Sequence, residues 1–189
     1  MFAFPKITEN CISLLQNFLV HGSYPVKKVS AIVSCKICNE TKDENLFMNF
    51  IKLFVSLGKS QHCNERIAFL LIIENGLSYF SRNFYLTKFW PIISDLLTDK
   101  ISNVKCFLLR ILPCLLRRIS SKEIENQVKE RISSLMESKI KLEKEIADNI
   151  NFELISLDMS ANYNDMSNSE EQELIMHEKE LFQKKEQVQ

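Results

Sequence analysis

Two cysteines, Cys35 and Cys38, stand in the run CKIC, a spacing shared by zinc sites and dithiol redox centres. A zinc site would need a second such pair, or histidines at ligand spacing. The next donors downstream, His62 and Cys63, are far along the chain, and no second Cys-x-x-Cys exists. A redox pair would want a strand before it and a helix N-terminus at the first cysteine. Both cysteines instead fall inside one helical pattern, at i and i+3, so they read as small buried apolar residues.

The other reactive types are equally sparse. His21, His62 and His177 are the only histidines. The first two fall in turn segments and the third in a polar tail. None has a Ser or Cys nucleophile and an acid at a recognisable spacing. Three glycines are too few and too scattered for a phosphate-binding loop. No catalytic, cofactor-binding or metal-ligating residue is expected, and no small-molecule substrate, so the chain does not read as an enzyme.

Arg110, Arg117, Arg118 and Lys122 form a small basic cluster. A nucleic-acid reader needs a longer basic track with stacking aromatics. Here Phe50, Phe54, Phe69, Phe89 and Phe107 lie on apolar stripes and read as core. Arg117 and Arg118 read as complements to the C-terminal end of their helix. Nucleic acid is therefore not the expected partner.

The chain has 189 residues, 46% of them hydrophobic, with only 3 Gly and 4 Pro. That scarcity of turn formers disfavours a β-rich fold. The formal net charge is zero, but residues 1–119 hold 15 Lys/Arg against 8 Asp/Glu, and residues 120–189 hold 9 against 16. The opening MFAFPKITENC has no charged region ahead of an apolar core, so no secretory signal is read there. The most apolar run, from Cys106 to Leu116, is interrupted by Arg110 and Pro113 and is too short for a membrane span. A cytoplasmic protein with reduced cysteines is the expectation.

The elements that carry these residues repeat. From Leu96, steps of 39 reach Leu57, Phe18 and Leu135. Leu15, Phe54, Ile93 and Ile132 share the step, as do Cys11, Phe50, Phe89 and Val128. Each block has the i, i+3/i+4, i+7 spacing of an amphipathic helix, with Phe50, Phe54 and Leu57 on one face and Phe89, Ile93 and Leu96 on another. A polar turn and a second helix follow each time. The second helices open on Lys28, Arg66 and Lys105. Their apolar faces are expected at Val29, Ile32 and Val33, at Ile67, Leu70 and Leu71, and at Phe107, Leu108, Ile111 and Leu112. Pro113 is expected to bend the later part of its helix. A weaker fourth second helix, from about 142 to 157, carries Ile146, Ile150, Leu154 and Leu157.

Helix–turn–helix units near 40 residues predict an all-α fold, an α-solenoid of about four hairpins, in preference to a single eight-helix bundle. The units span about 8–39, 46–78, 85–119 and 122–157 of a domain covering 1–158. Residues 159–189 form a charged tail, either disordered or a short helix capped at Ser167 or Ser169. In the latter case Leu174, Ile175, Leu181 and Phe182 make a thin apolar stripe for docking on a partner. End units of solenoids need polar outer faces, and MFAFPKI is apolar, so the first unit is expected to expose an apolar face.

The third unit, WPIISDLLTDKISNVK, resembles the HEAT-repeat (armadillo-like) family at Pro91, Asp99, Val104 and Lys105. In that family the first helix carries a Pro, the turn an Asp, and the second helix opens Val-Arg or Val-Lys. Ser60 and Ser138 replace the Asp in neighbouring units. The resemblance implies structural roles for these four positions, with Asp99 capping the second helix and Lys105 tying units together. The family includes scaffold subunits of type 2A and type 4 serine/threonine phosphatases, and LTDKISNVKCFLLRILPCLLRRI is similar to type 4 regulatory subunits. The resemblance implies a scaffold that holds a phosphatase catalytic subunit along the inter-helix turns of one edge. The candidate contacts are His21, Lys59, His62, Lys100, Asn103 and Lys139. Other HEAT adaptors of assembly or transport, and nucleic-acid-binding solenoids, are the alternatives.

Overall fold

The computed structural model describes residues 9–119, 121–136 and 167–186, together with 144, 145 and 148, and the regular structure among them is all helical. Helix α1 runs Glu9–His21, α2 Tyr24–Glu40, α3 Glu44–Gly58 and α4 Cys63–Asn75. Then come a short α5, Arg82–Phe84, a π-helical turn, Tyr85–Phe89, and α6, Trp90–Leu96. Helix α7 is Ser102–Ile119, α8 Lys122–Met136 and α9 Asn168–Glu186. The expected second helix of the fourth unit, about 142–157, lies outside the described residues apart from helical positions at 144, 145 and 148.

Local chemistry sets the boundaries. Asp43 caps α3, its Oδ1 accepting from the N–H of Asn45 at 2.9 Å and of Leu46 at 3.2 Å. Pro25 stands in the first turn of α2, where a missing N–H costs nothing, and Pro91 closely follows the π turn. Pro91 also gives a reason for the π turn. In an unbroken α-helix its ring would press on the carbonyl four residues back, that of Thr87. The chain widens just before it, and the N–H of Trp90 bonds the carbonyl of Tyr85. The expected bend at Pro113 does not end α7, which continues to Ile119 with Pro113 buried.

The described residues fall into two compact units. The first runs to Ser81 and includes α9 from Gln172 onward. The second runs from Arg82 to Glu171. In the first unit α4 is the central element. Ala68, Phe69, Leu70, Leu71, Ile72 and Ile73 are all fully buried, and α1, α2 and α3 each pack against it. A helix that is apolar all round must be enclosed, not laid on a surface. The sequence reading gave α4 a single stripe of Ile67, Leu70 and Leu71. The structure leaves Ile67 half-buried and buries the full circumference beyond it.

The same enclosure corrects the reading of α2. Of its expected face, Val29 is 59% and Val33 38% exposed, and Ile32 is half-buried. The buried face is Ser30, Ala31, Ser34, Cys35 and Cys38. These small side chains let α2 lie close to the bulky surface of α4, and the Cys35 thiol donates to the carbonyl of Ile72 at 3.6 Å. Leu14 and Phe18 of α1 are also exposed, at 52% and 40%, while Leu19 and Val20 face inward. Large residues on both helices would hold α2 too far from α4 for dense packing.

In the second unit, Phe89, Ile93 and Leu96 are buried as their spacing predicts, and so are Leu108, Ile111 and Leu112 of α7. Phe84 and Tyr85 meet Phe89 edge-on, with ring centroids 5.2 and 5.4 Å apart. Helices α5 and α6 both pack on α7.

The orientation of α2 is directly testable. Ala31→Leu is expected to destabilise the chain by about 1–3 kcal/mol through overpacking, and Val29→Ala by less than about 0.5 kcal/mol. Urea midpoints at constant slope measure both. A larger loss at Val29 than at Ala31 would put the opposite face inward.

Candidate functional site

The turn residues singled out by resemblance sit at helix ends. His21 closes α1, Lys59 follows α3 and His62 precedes α4, all exposed. Lys100 and Asn103 are exposed around the start of α7. The first three belong to the first unit and the last two to the second. Lys139 lies outside the described residues. Among the HEAT-like positions, Pro91 is exposed and Val104 fully buried. The Oδ1 of Asp99 accepts from the N–H of Ile101 at 2.8 Å, one residue before α7 begins. Lys105, half-buried in the first turn of α7, donates its backbone N–H to the carbonyl of Ile101.

Burial decides the chemistry of CKIC. Cys35 and Cys38 are fully enclosed and free of disulfides. Desolvation pushes both thiols up, and at Cys38 the neighbouring Cys35 adds to it. Both therefore stay protonated near neutral pH and supply no thiolate for attack or for metal. Among the described residues, no three His, Cys, Asp or Glu side chains gather as ligands for a metal ion. No helix among them is long and apolar enough to cross a membrane.

The polar interactions with most structural content involve α9. Ser167 and Glu170 form a reciprocal capping box at its start. The Oε2 of Glu170 accepts from the Ser167 N–H at 2.9 Å and from its hydroxyl at 2.8 Å, and the Glu170 N–H lies 3.3 Å from the Ser167 Oγ. The backbone and then the side-chain hydrogen bond from Ser167 lower the Glu170 pKa.

In the first unit, α9 presents Leu174, Glu178 and Leu181 inward, each less than a tenth exposed. The Oε1 of Glu178 accepts from the Ser81 N–H at 2.7 Å, and Oε2 accepts from the Ser81 hydroxyl. A buried carboxylate needs such donors, because an unpaired one would cost several kcal/mol or more. His177 places Nε2 3.3 Å from the Cys38 carbonyl, and its ring lies edge-on to Phe47. Phe182 meets the same Phe47 edge-on, with centroids 5.7 Å apart.

In the second unit, Glu171 accepts from the N–H of Arg82 at 2.7 Å and pairs with the guanidinium of Arg118. The Arg118 side chain is 7% and that of Glu171 14% exposed. Arg118 stands in the last turn of α7, as expected of a complement to that helix end. It is also a buried ion-pair partner, while Arg110 and Arg117 remain exposed. The basic cluster is therefore smaller than its sequence suggests.

Sequence reasoning missed Ser81, Glu171 and Glu178. A signal existed for the last: Glu178 falls at i+4 from Leu174 and i−3 from Leu181, inside the apolar stripe of the tail. Ser81 and Glu171 carry no such local mark. No family model matches the chain, and a search of curated proteins finds no match.

Two measurements check these contacts. Ser167→Ala is expected to raise the Glu170 pKa toward the ordinary glutamate value, read by carboxyl-carbon NMR titration. The sign follows from the lowered folded value. The capping box contributes stability above the unfolded pKa and loses it as pH falls through the folded one. Glu171→Ala, which removes one partner of a buried pair, is expected to cost about 3 kcal/mol in urea unfolding. A loss below about 0.5 kcal/mol would mean the pair is solvated.

Proposed function

We propose that the chain is a non-catalytic scaffold or regulatory subunit, an α-solenoid of about four HEAT-like hairpins that binds the catalytic subunit of a type 4 or type 2A-like serine/threonine phosphatase in the cytoplasm. The observation that carries the binding role is the outward side of α1 and α2. Leu14, Phe18, Tyr24, Val26, Val29 and Val33 are each 38–59% exposed. Leu14 and Phe18 form one helical stripe, and Val26, Val29 and Val33 form another. Exposed apolar stripes of this kind mark surfaces that bind other proteins.

The scaffold form draws support from helix spacing. Helices α1, α3, α6 and α8 end at His21, Gly58, Leu96 and Met136, at steps of 37, 38 and 40. Short turns join α1 to α2, α3 to α4 and α6 to α7, which makes each pair antiparallel neighbours. The phosphatase partner rests on the resemblance, over about residues 25–155 and carried by the run at 97–119, to protein phosphatase 4 regulatory subunit 4. By the same resemblance the partner would be held through the turns that carry His21, Lys59, His62, Lys100, Asn103 and Lys139.

The folded chain, used as bait at gentle salt, is expected to recover a type 4 or type 2A catalytic subunit. Lys59→Glu combined with Lys100→Glu is expected to cut that recovery severalfold without lowering the melting temperature. A folded bait that captures neither catalytic subunit sinks the phosphatase reading.

A further inference from the structure

The contact that α9 makes in the first unit differs in kind from those among α1 to α4. Those helices meet largely through apolar and small side chains. Helix α9 buries a carboxylate. Glu178 has both oxygens engaged by Ser81, and buried leucines stand four residues before it and three after. His177 and Phe182 flank this line and converge on Phe47. The opposite side of the helix is solvated: Gln172, Glu173, Met176, Lys179 and Glu180 are all exposed.

The contact is thus concentrated between Leu174 and Phe182, in the pattern Leu-x-x-His-Glu-x-x-Leu-Phe. A short pattern of apolar anchors at helical spacing, seated on a surface that other helices build, is how proteins recognise a partner helix. The buried carboxylate adds specificity. A helix lacking it would forgo both hydrogen bonds that Ser81 donates to Glu178. Because α9 is joined covalently to its seat, an outside helix competes against a local concentration on the order of millimolar.

We propose that Cys38, Phe47 and Ser81 mark a recognition site for a protein helix, and that α9 occupies it in cis. The external partner is an amphipathic helix with a carboxylate, leucines at −4 and +3 from it, and an aromatic residue at +4. The site lies within the first unit and does not depend on the phosphatase reading. A failed phosphatase capture leaves it standing, and the reverse also holds.

The test uses the full chain with a protease site introduced within residues 137–166, folded and then cut. A fluorescent peptide of residues 167–186 is added, and anisotropy is followed. The peptide is expected to displace the cleaved helix with a saturable curve, and to bind the uncut chain at least tenfold more weakly. A Glu178→Ala peptide should bind at least tenfold more weakly than the wild type, and a Met176→Ala peptide, changed on the solvated side, equally well. An alanine-based helix carrying only the Leu, Glu, Leu and Phe positions should compete. The proposal is overturned if the cut chain stays folded by circular dichroism yet takes up no peptide. Equal binding of the Glu178→Ala peptide overturns it too, as does failure of the alanine-based helix to compete.

Discussion

Enclosure of α4 is the constraint on which the first unit depends. Five large side chains, from Phe69 to Ile73, are buried on consecutive positions, so every side of the helix needs a neighbour. Each contributes roughly 1.5–3 kcal/mol on leaving water. No single partner helix could cover that circumference. Helices α1, α2 and α3 are therefore drawn around it, and α2 turns its smallest residues inward to come close. The cost is that α2 leaves Val29 and Val33 in solvent. The exposed apolar stripe and the buried core thus have one origin.

That trade explains why CKIC is inert. Cys35 and Cys38 are on the face of α2 that must be small and dry, and a thiol suits such a face as well as alanine does. The same burial that makes them good packing residues raises their pKa and removes their reactivity. A motif spacing is not enough for chemistry. The site must also hold charge, and this one excludes it.

The acidic groups of α9 follow the opposite logic. Ser81 and Arg82 lie at the start of a helical run whose first N–H groups have no intrahelical acceptor. Glu178 satisfies the first of these within its unit, and Glu171 the second within its own. The carboxylates are favoured at such a helix start, where the N–H groups point outward and the dipole is positive. Helix α9, in a segment that composition alone marks as solvated, is held by these few charged hydrogen bonds, with modest help from Leu174 and Leu181.

The sequence by itself determined that the described elements are helices. Apolar spacing at 3.6 residues and the cap at Ser167 are local properties, written within a few residues of where they act. It also placed the inward faces of α3, α6 and α7, where one dense stripe leaves no choice. Only the tertiary structure decided which face of α2 is buried and which helix is enclosed. It alone showed that Arg118 is an interior group and that Glu178 meets Ser81. Those outcomes depend on the shape and donors of partners distant in the chain. A valine stripe loses to an alanine and cysteine stripe when the opposing helix is bulky, and no periodicity in α2 itself records what it will face.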